Sequence, residues 1–262
     1  MPVPRGDLTA PRGGPRRRRV VAAVAALAVV GVVAGGAALA SRGSSDGGDG
    51  AGDRLEIAVV GDSLVEQSRD QLVAHAGDQG LVVETFALGG SAPCDWAELG
   101  VFDDLAADPP HHLIISFAGN DHTPCINPAG GPPRDPQTIA DAYAQDMPGI
   151  VEPFEGTDTE VYVVLPPPVG EPASEPAAAA IRAMYRDLAD DHPGVTVVDP
   201  ARLLGPDGRF ALSLPCQEWE APACAADGTI AVRNPDGIHL TPAGGERYAR
   251  ILLDAIGSPV EG

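Results

Sequence analysis

Five short apolar runs rich in β-branched residues recur from residue 55 onward: Leu55 to Val60, Leu81 to Ala87, Leu113 to Phe117, Glu160 to Leu165 and Val195 to Val198. Runs of that length, bounded by turn-forming residues, read as strands rather than buried helices. Between them, Leu64 to Ala76, Pro136 to Val151 and Ser174 to Asp191 carry apolar residues at helical spacing, and a last helix starts near Thr241 and runs to about Ala255. Ser174 is the expected N-cap of its helix, with Pro176 in the first turn and Pro193-Gly194 closing it. Strands that alternate with helices predict βα units and an α/β domain with a mainly parallel sheet. Leu203 to Asn234 has no clear period and reads as a long excursion, a candidate part of a substrate site. Pro166-Pro167-Pro168 reads as a rigid loop after the fourth strand.

The pattern before residue 55 is different. Residues 1–19 are rich in Pro, Gly and Arg, and Arg16 to Arg19 form a basic run. Residues 20–40 carry no charge and are long enough to cross the hydrocarbon layer of a membrane as a helix. The positive-inside rule keeps the arginines in the cytoplasm and exports the chain beyond the apolar span. Ala38-Leu39-Ala40 also reads as a small-residue cleavage site, so two forms are expected: a signal peptide cleaved after Ala40 and secreted, or an uncleaved single-pass anchor. The length of the apolar stretch favours the anchor. Residues 41–53 form a Gly, Ser and Asp tether, which leaves residues 54–262 as the working domain. Within the tether, Gly43-Ser44-Ser45-Asp46-Gly47 matches a nucleophile elbow letter for letter, but lacks the strand and helix that such a turn joins.

Charge narrows the partners. Beyond Arg42, ten arginines and no lysine stand against 36 acidic residues. A field of that sign repels nucleic acid and other polyanions, so a neutral or lightly charged substrate is expected.

The candidate chemistry sits at strand ends. Gly61-Asp62-Ser63-Leu64 comes directly after the first apolar run, Gly89-Gly90-Ser91 after the second and Ala118-Gly119-Asn120-Asp121 after the third, while Asp236-Gly237-Ile238-His239 precedes the last helix. Together these resemble the four blocks of the SGNH, or GDSL, hydrolase superfamily across roughly residues 55 to 256. The third block departs from the family pattern, with Ala118 where a glycine is usual. The resemblance implies a three-layer α/β/α, flavodoxin-like sandwich with a mainly parallel five-stranded sheet. It also implies an ester hydrolase that works through an acyl-enzyme, without cofactor.

The residue types suit that chemistry. A serine hydroxyl is a weak nucleophile and needs a base. Ser63 is the candidate nucleophile, His239 the base and Asp236 the residue that orients it. The backbone N–H groups of Ser63 and Gly90 and the Asn120 amide are the candidate oxyanion donors. Gly89 competes with Gly90, which better matches the family. Asp62 and Asp121 are expected to bond backbone amides near the site. His122 is a candidate substrate contact, whereas His111 and His112 precede the third strand on the opposite edge.

The cysteines Cys94, Cys125, Cys216 and Cys224 all lie in the exported part, and their spacings match no zinc pattern, so no metal is expected. Of three pairings, Cys94 with Cys125 and Cys216 with Cys224 is favoured, the second because its loop is short and local. The first would brace the loops of Gly90 and Asn120.

The combined expectation is a monomeric, extracytoplasmic serine esterase acting on acyl esters such as O-acyl groups of cell-envelope glycans or lipids. The alternatives are an O-acyltransferase that uses a sugar hydroxyl as acceptor and a tethered binding module without catalysis.

Overall fold

In the first strand, β1 (Ile57–Gly61), all five residues are buried. Ile57 and Val59 pack on one face of the sheet and Ala58 and Val60 on the other. A strand covered on both faces has no place for an alternating polar residue, which accounts for the unbroken apolar run. The computed structural model describes residues 56–132 and 134–257. The basic segment 1–19, the apolar span 20–40 and the tether 41–53 lie outside the described residues, and among the described residues no helix is long and apolar enough to cross a membrane.

β1 pairs in parallel with β2 (Val83–Ala87) on one side and β3 (His112–Ser116) on the other. Beyond β3 come β4 (Glu160–Val164) and β5 (Val195–Val198), also parallel, for a strand order of β2-β1-β3-β4-β5. This is the five-stranded parallel sheet that the sequence resemblance implies. The chain moves from β1 outward to β2 and then back past β1 to β3, so the winding reverses between β1 and β3. Open α/β sheets bind their ligands at such a switch point, beyond the carboxyl ends of the strands.

Helices cover both faces. α1 (Ser63–Asp78) buries Leu64, Val65 and Leu72 on the Ile57 and Val59 face. α2 (Pro93–Leu99), α3 (Val101–Ala107), α4 (Pro136–Val151) and α5 (Glu175–Asp191) cover the other face, with Trp96, Phe102, Tyr143, Ile181 and Tyr185 packed on Ala58, Val60 and Ile115. After the short α6 (Ala201–Leu204) and the hairpin β6 (Ser213–Pro215) and β7 (Thr229–Ala231), α7 (Pro242–Gly257) returns to lie beside α1.

Three details depart from the sequence expectation. Ser174 stands at the cap position of α5, but its hydroxyl donates to Glu171 Oε2 at 2.7 Å instead of accepting from the helix. Its backbone is already helical (φ −91°, ψ −26°), whereas a capping side chain works from an extended backbone. α2 and α3 have no counterpart in the sequence pattern; each is seven residues long, too short to show a period. The excursion from Leu203 to Asn234 is anchored on α7 through the buried Arg247. That guanidinium donates to Glu220 at 2.8 and 2.6 Å, to Leu203 O at 3.0 Å and to Pro215 O at 2.7 Å.

Candidate active site

Gly61 ends β1 where β3 presses against it. A Cβ there would lie 2.3 Å from the Ser116 carbonyl oxygen, so only glycine lets the two strands run on into the site. Asp62 comes next, fully buried, and ties together the loops that leave β1 and β3. Its carboxylate accepts from Leu64 N at 3.0 Å, capping α1, from Ala118 N at 2.7 Å and from Asn120 Nδ2 at 3.0 Å. Burial pushes its pKa up from 3.8 to about 6, against these hydrogen bonds and the nearby His239, which pull it down.

Ser63 opens α1, half-buried, at the carboxyl end of β1. Among the described residues no hydrogen bond takes up the backbone N–H of Ser63 or of Gly90. Gly90 has φ +78°, the left-handed region that glycine enters without strain. Gly89 runs alongside α1: a Cβ on it would lie 3.9 Å from the Ser63 Cβ, whereas one on Gly90 would meet nothing within 4 Å. Asn120 points its amide back toward this loop, with Nδ2 donating to Asp62 Oδ2 and to Ser91 O, both at 3.0 Å. Both amide protons therefore have acceptors within the protein itself.

His239 arrives on the loop before α7. Its Nδ1 lies 2.9 Å from Asp236 Oδ2, while Asp236 Oδ1 accepts from Ile238 N at 2.8 Å and from His239 N at 2.9 Å. Burial alone would raise the Asp236 pKa, but the two amides and the imidazole outweigh it and hold the pKa at about 2. An ionised carboxylate only accepts, so Nδ1 carries a proton and, in the neutral ring, Nε2 is the nitrogen with the lone pair. The adjoining Leu240 N donates to Gln67 Oε1 at 2.8 Å, which moors this loop to α1 one helical turn from Ser63. No hydrogen bond joins the Ser63 hydroxyl to the imidazole among the described residues; such contacts often tighten only around substrate.

A second set of groups holds the scaffold, and nothing in the sequence pattern singles them out. Buried Arg233 donates to Ile238 O at 2.8 Å and Pro168 O at 3.2 Å, and Gly170 N donates to Gly237 O at 2.8 Å. The loop after β4 therefore backs the Asp236–His239 loop. Tyr185 OH donates to Phe117 O at 3.1 Å, Tyr143 OH to Asn120 O at 3.2 Å, and Tyr248 OH shares a 2.6 Å hydrogen bond with Ser116 Oγ. These three buried phenols fix the end of β3 from both faces of the sheet. In the sequence each is legible only as one more apolar-face residue of a helix.

The remaining residues singled out by sequence fall outside this cluster of contacts. Asp121 accepts from Arg134 N at 2.8 Å, and His122 is exposed, 3.5 Å from Asp121 Oδ1. His112 opens β3 at the opposite edge, 3.1 Å from Glu160. Cys94 is bonded to Cys125 and Cys216 to Cys224. The first bond, with Thr123 Oγ1 donating to Asp95 Oδ1, joins α2 behind Gly90 to the loop behind Asn120. A cavity of about 630 Å³ between β5 and α7, lined by Val198, Asp199, Arg202 and Asp254 among others, shares no residue with this site.

Solved structures place the fold. An acetyl xylan esterase, AlAXEase, matches with a TM-score of 0.54 and 18% identity over 77% of this chain and 100% of its own. LAE5, an alpha/beta hydrolase enzyme from the metagenome of Lake Arreo, Spain, matches at 0.51 and 17% over 78% and 95%. A GDSL-like lipase from Bacteroides thetaiotaomicron matches at 0.50 and 13% over 78% and 88%. At these identities the likeness establishes the fold, that of the SGNH hydrolases. Within it, residues 56–255 match the family described as "Protein of unknown function (DUF459)", and the chain belongs to that family. No curated protein matches it by sequence.

Proposed function

We propose that this protein is a serine esterase working outside the cytoplasm. The Asp236–His239 pair carries the reading: its ring is oriented, its Nε2 is left as a base, and its loop is moored to α1 one turn from Ser63. Ser63 Oγ attacks the ester carbonyl carbon as His239 Nε2 takes the hydroxyl proton. The carbonyl electron pair moves to oxygen, facing the N–H groups of Ser63 and Gly90 and the Asn120 amide. Collapse of this intermediate expels the alcohol, which receives the proton from His239 and leaves Ser63 acylated. Water, deprotonated by the same ring, then releases the acid.

The His239 and Asp236 side chains are 38% and 46% exposed, so the base stands on open surface rather than at the foot of a tunnel. That openness favours acyl groups displayed on a polymer, such as O-acyl groups of cell-envelope glycans. It also admits a sugar hydroxyl in place of water, and an excess of transfer product over free acid with acceptor present would reveal transfer. The apolar span 20–40 behind Arg16 to Arg19 and the two disulfide bonds support an exported domain.

The test is peptide mapping after exposure of the purified protein to a fluorophosphonate. An adduct on Ser63 that is missing in His239→Ala is the expected result. Folded, disulfide-bonded protein that takes up no label would overturn the enzyme reading.

A further inference from the structure

The carboxylates around Ser63 are mostly engaged. Asp62 accepts three hydrogen bonds, Asp236 holds His239, and Asp121 holds the Arg134 amide. Glu66 is different. It stands on the first turn of α1, three residues after Ser63 and therefore on the same side of the helix, exposed, and among the described residues its carboxylate takes part in no hydrogen bond or ion pair. Its carboxylate is turned toward the glycine loop. A Cβ placed on Gly89 would lie 2.6 Å from Glu66 Oε2 and 3.9 Å from the Ser63 Cβ. An unpaired negative charge therefore borders the nucleophile on the side of the oxyanion loop. The two distances bound the separation of Oε2 from the Ser63 Cβ at about 6.5 Å, well inside the range of Coulombic coupling.

We propose that Glu66 is a specificity-determining residue, biasing the site toward esters that carry a positive charge beside the ester bond and against esters that carry a carboxylate there. The simplest substrate of this class is an α-aminoacyl ester, whose ammonium is one carbon from the carbonyl that Ser63 attacks. The inference rests on the esterase reading and names the substrate class of that site. Among the described residues no cation is paired with Glu66: Arg69, one turn further along α1, forms no ion pair, and Arg233, beside the His239 loop, is buried and bonded to carbonyl oxygens. At about 6.5 Å, one charge on another changes a rate by roughly threefold in water-like surroundings, and by tens of fold where bound substrate excludes water.

The test compares p-nitrophenyl esters of alanine and of isobutyric acid, which differ in an ammonium against a methyl group of similar size. kcat/KM is measured for both with the wild type, Glu66→Gln and Glu66→Lys. Intrinsic reactivity of the esters cancels in the ratio of ratios. The alanyl preference should fall roughly threefold to thirtyfold in Glu66→Gln and further in Glu66→Lys, and the wild-type preference should shrink as salt is added. Turnover of both esters with the same preference in all three proteins would overturn the inference while leaving the esterase intact. If the wild type turns over neither ester and takes no fluorophosphonate on Ser63, the esterase reading itself fails and the inference falls with it. Gln and Lys are both good helix formers, so α1 should persist in both variants, which circular dichroism checks.

Discussion

Replacing Asp62 by asparagine should remove the loss of stability that this residue imposes as pH rises, while impairing the site. The folded Asp62 titrates at about 6 against 3.8 when unfolded. Between those values the native state keeps a proton that the unfolded chain releases, so stability falls as pH rises through this window. The contribution is fully present below 3.8 and lost above 6. Two pKa units and a fraction correspond to about 3 kcal/mol. Asparagine is close in shape to the protonated acid and does not titrate. Relative to the wild type, Asp62→Asn should therefore gain about 3 kcal/mol between pH 4 and pH 8, on top of a pH-independent cost for the donor that its amide sets against the neighbouring donors. Urea unfolding from pH 4 to 8 measures it, monitored through Trp96, which is buried and donates to Ser91 Oγ at 2.9 Å. Turnover should fall at the same time, since an amide in place of the carboxylate sets a donor against Asn120 Nδ2 and Ala118 N, or against Leu64 N. A stability gap that stays constant with pH, or that opens in the wild type's favour above pH 6, would refute the reasoning.

Two further outcomes are expected. Asp236→Asn leaves the imidazole without the acceptor that fixes its tautomer; because the pair is half exposed, kcat should fall by about 10² to 10³, less than for a buried triad. With a folded pKa near 2, the wild-type Asp236 stays ionised throughout the working range, and its stabilisation, present above 3.8, is lost only as pH falls through 2. Arg247→Met strands the buried Glu220 carboxylate and should cost about 3 to 5 kcal/mol in urea unfolding, with much of the loss restored by adding Glu220→Leu.

The strands were legible because a sheet buried on both faces demands uninterrupted apolar runs, and β1 to β5 lie within a residue or two of those runs. The ends of β1 and β3 were legible for a related reason: Gly61 and Gly119 break the runs where two loops must come close, and the polar residues beside them have nowhere else to go. The short elements outside the buried sheet were not legible. α2, α3, β6 and β7 each hold too little sequence for a period, and bonds that no period records hold this part of the chain: the Cys94–Cys125 bond and Thr123 Oγ1 donating to Asp95 Oδ1 at α2, the Cys216–Cys224 bond, and the Arg247 guanidinium reaching three segments. Tyr143, Tyr185, Tyr248 and Arg233 were hidden in another way. Their places on helix and loop are ordinary, and their hydrogen bonds go to backbone carbonyls or a hydroxyl on other elements, which no local motif records.

The fully engaged amide of Asn120 bears on how the proposed reaction distinguishes substrate from transition state. In the free site Nδ2 has Asp62 Oδ2 on one side and the Ser91 carbonyl on the other. Only the second partner is neutral. A ground-state ester carbonyl is no better an acceptor than Ser91 O, so exchanging one for the other gains nothing. An oxygen that has taken the carbonyl electron pair is a charged acceptor, and hydrogen bonds to charged groups are roughly twice as strong as neutral ones. The exchange becomes favourable only as that charge develops. In the proposed reaction Asp62 stays bonded and holds the amide beside the Ser91 end of the glycine loop. The donor thereby acts on the transition state in preference to the substrate, which is the requirement for raising kcat rather than merely lowering KM.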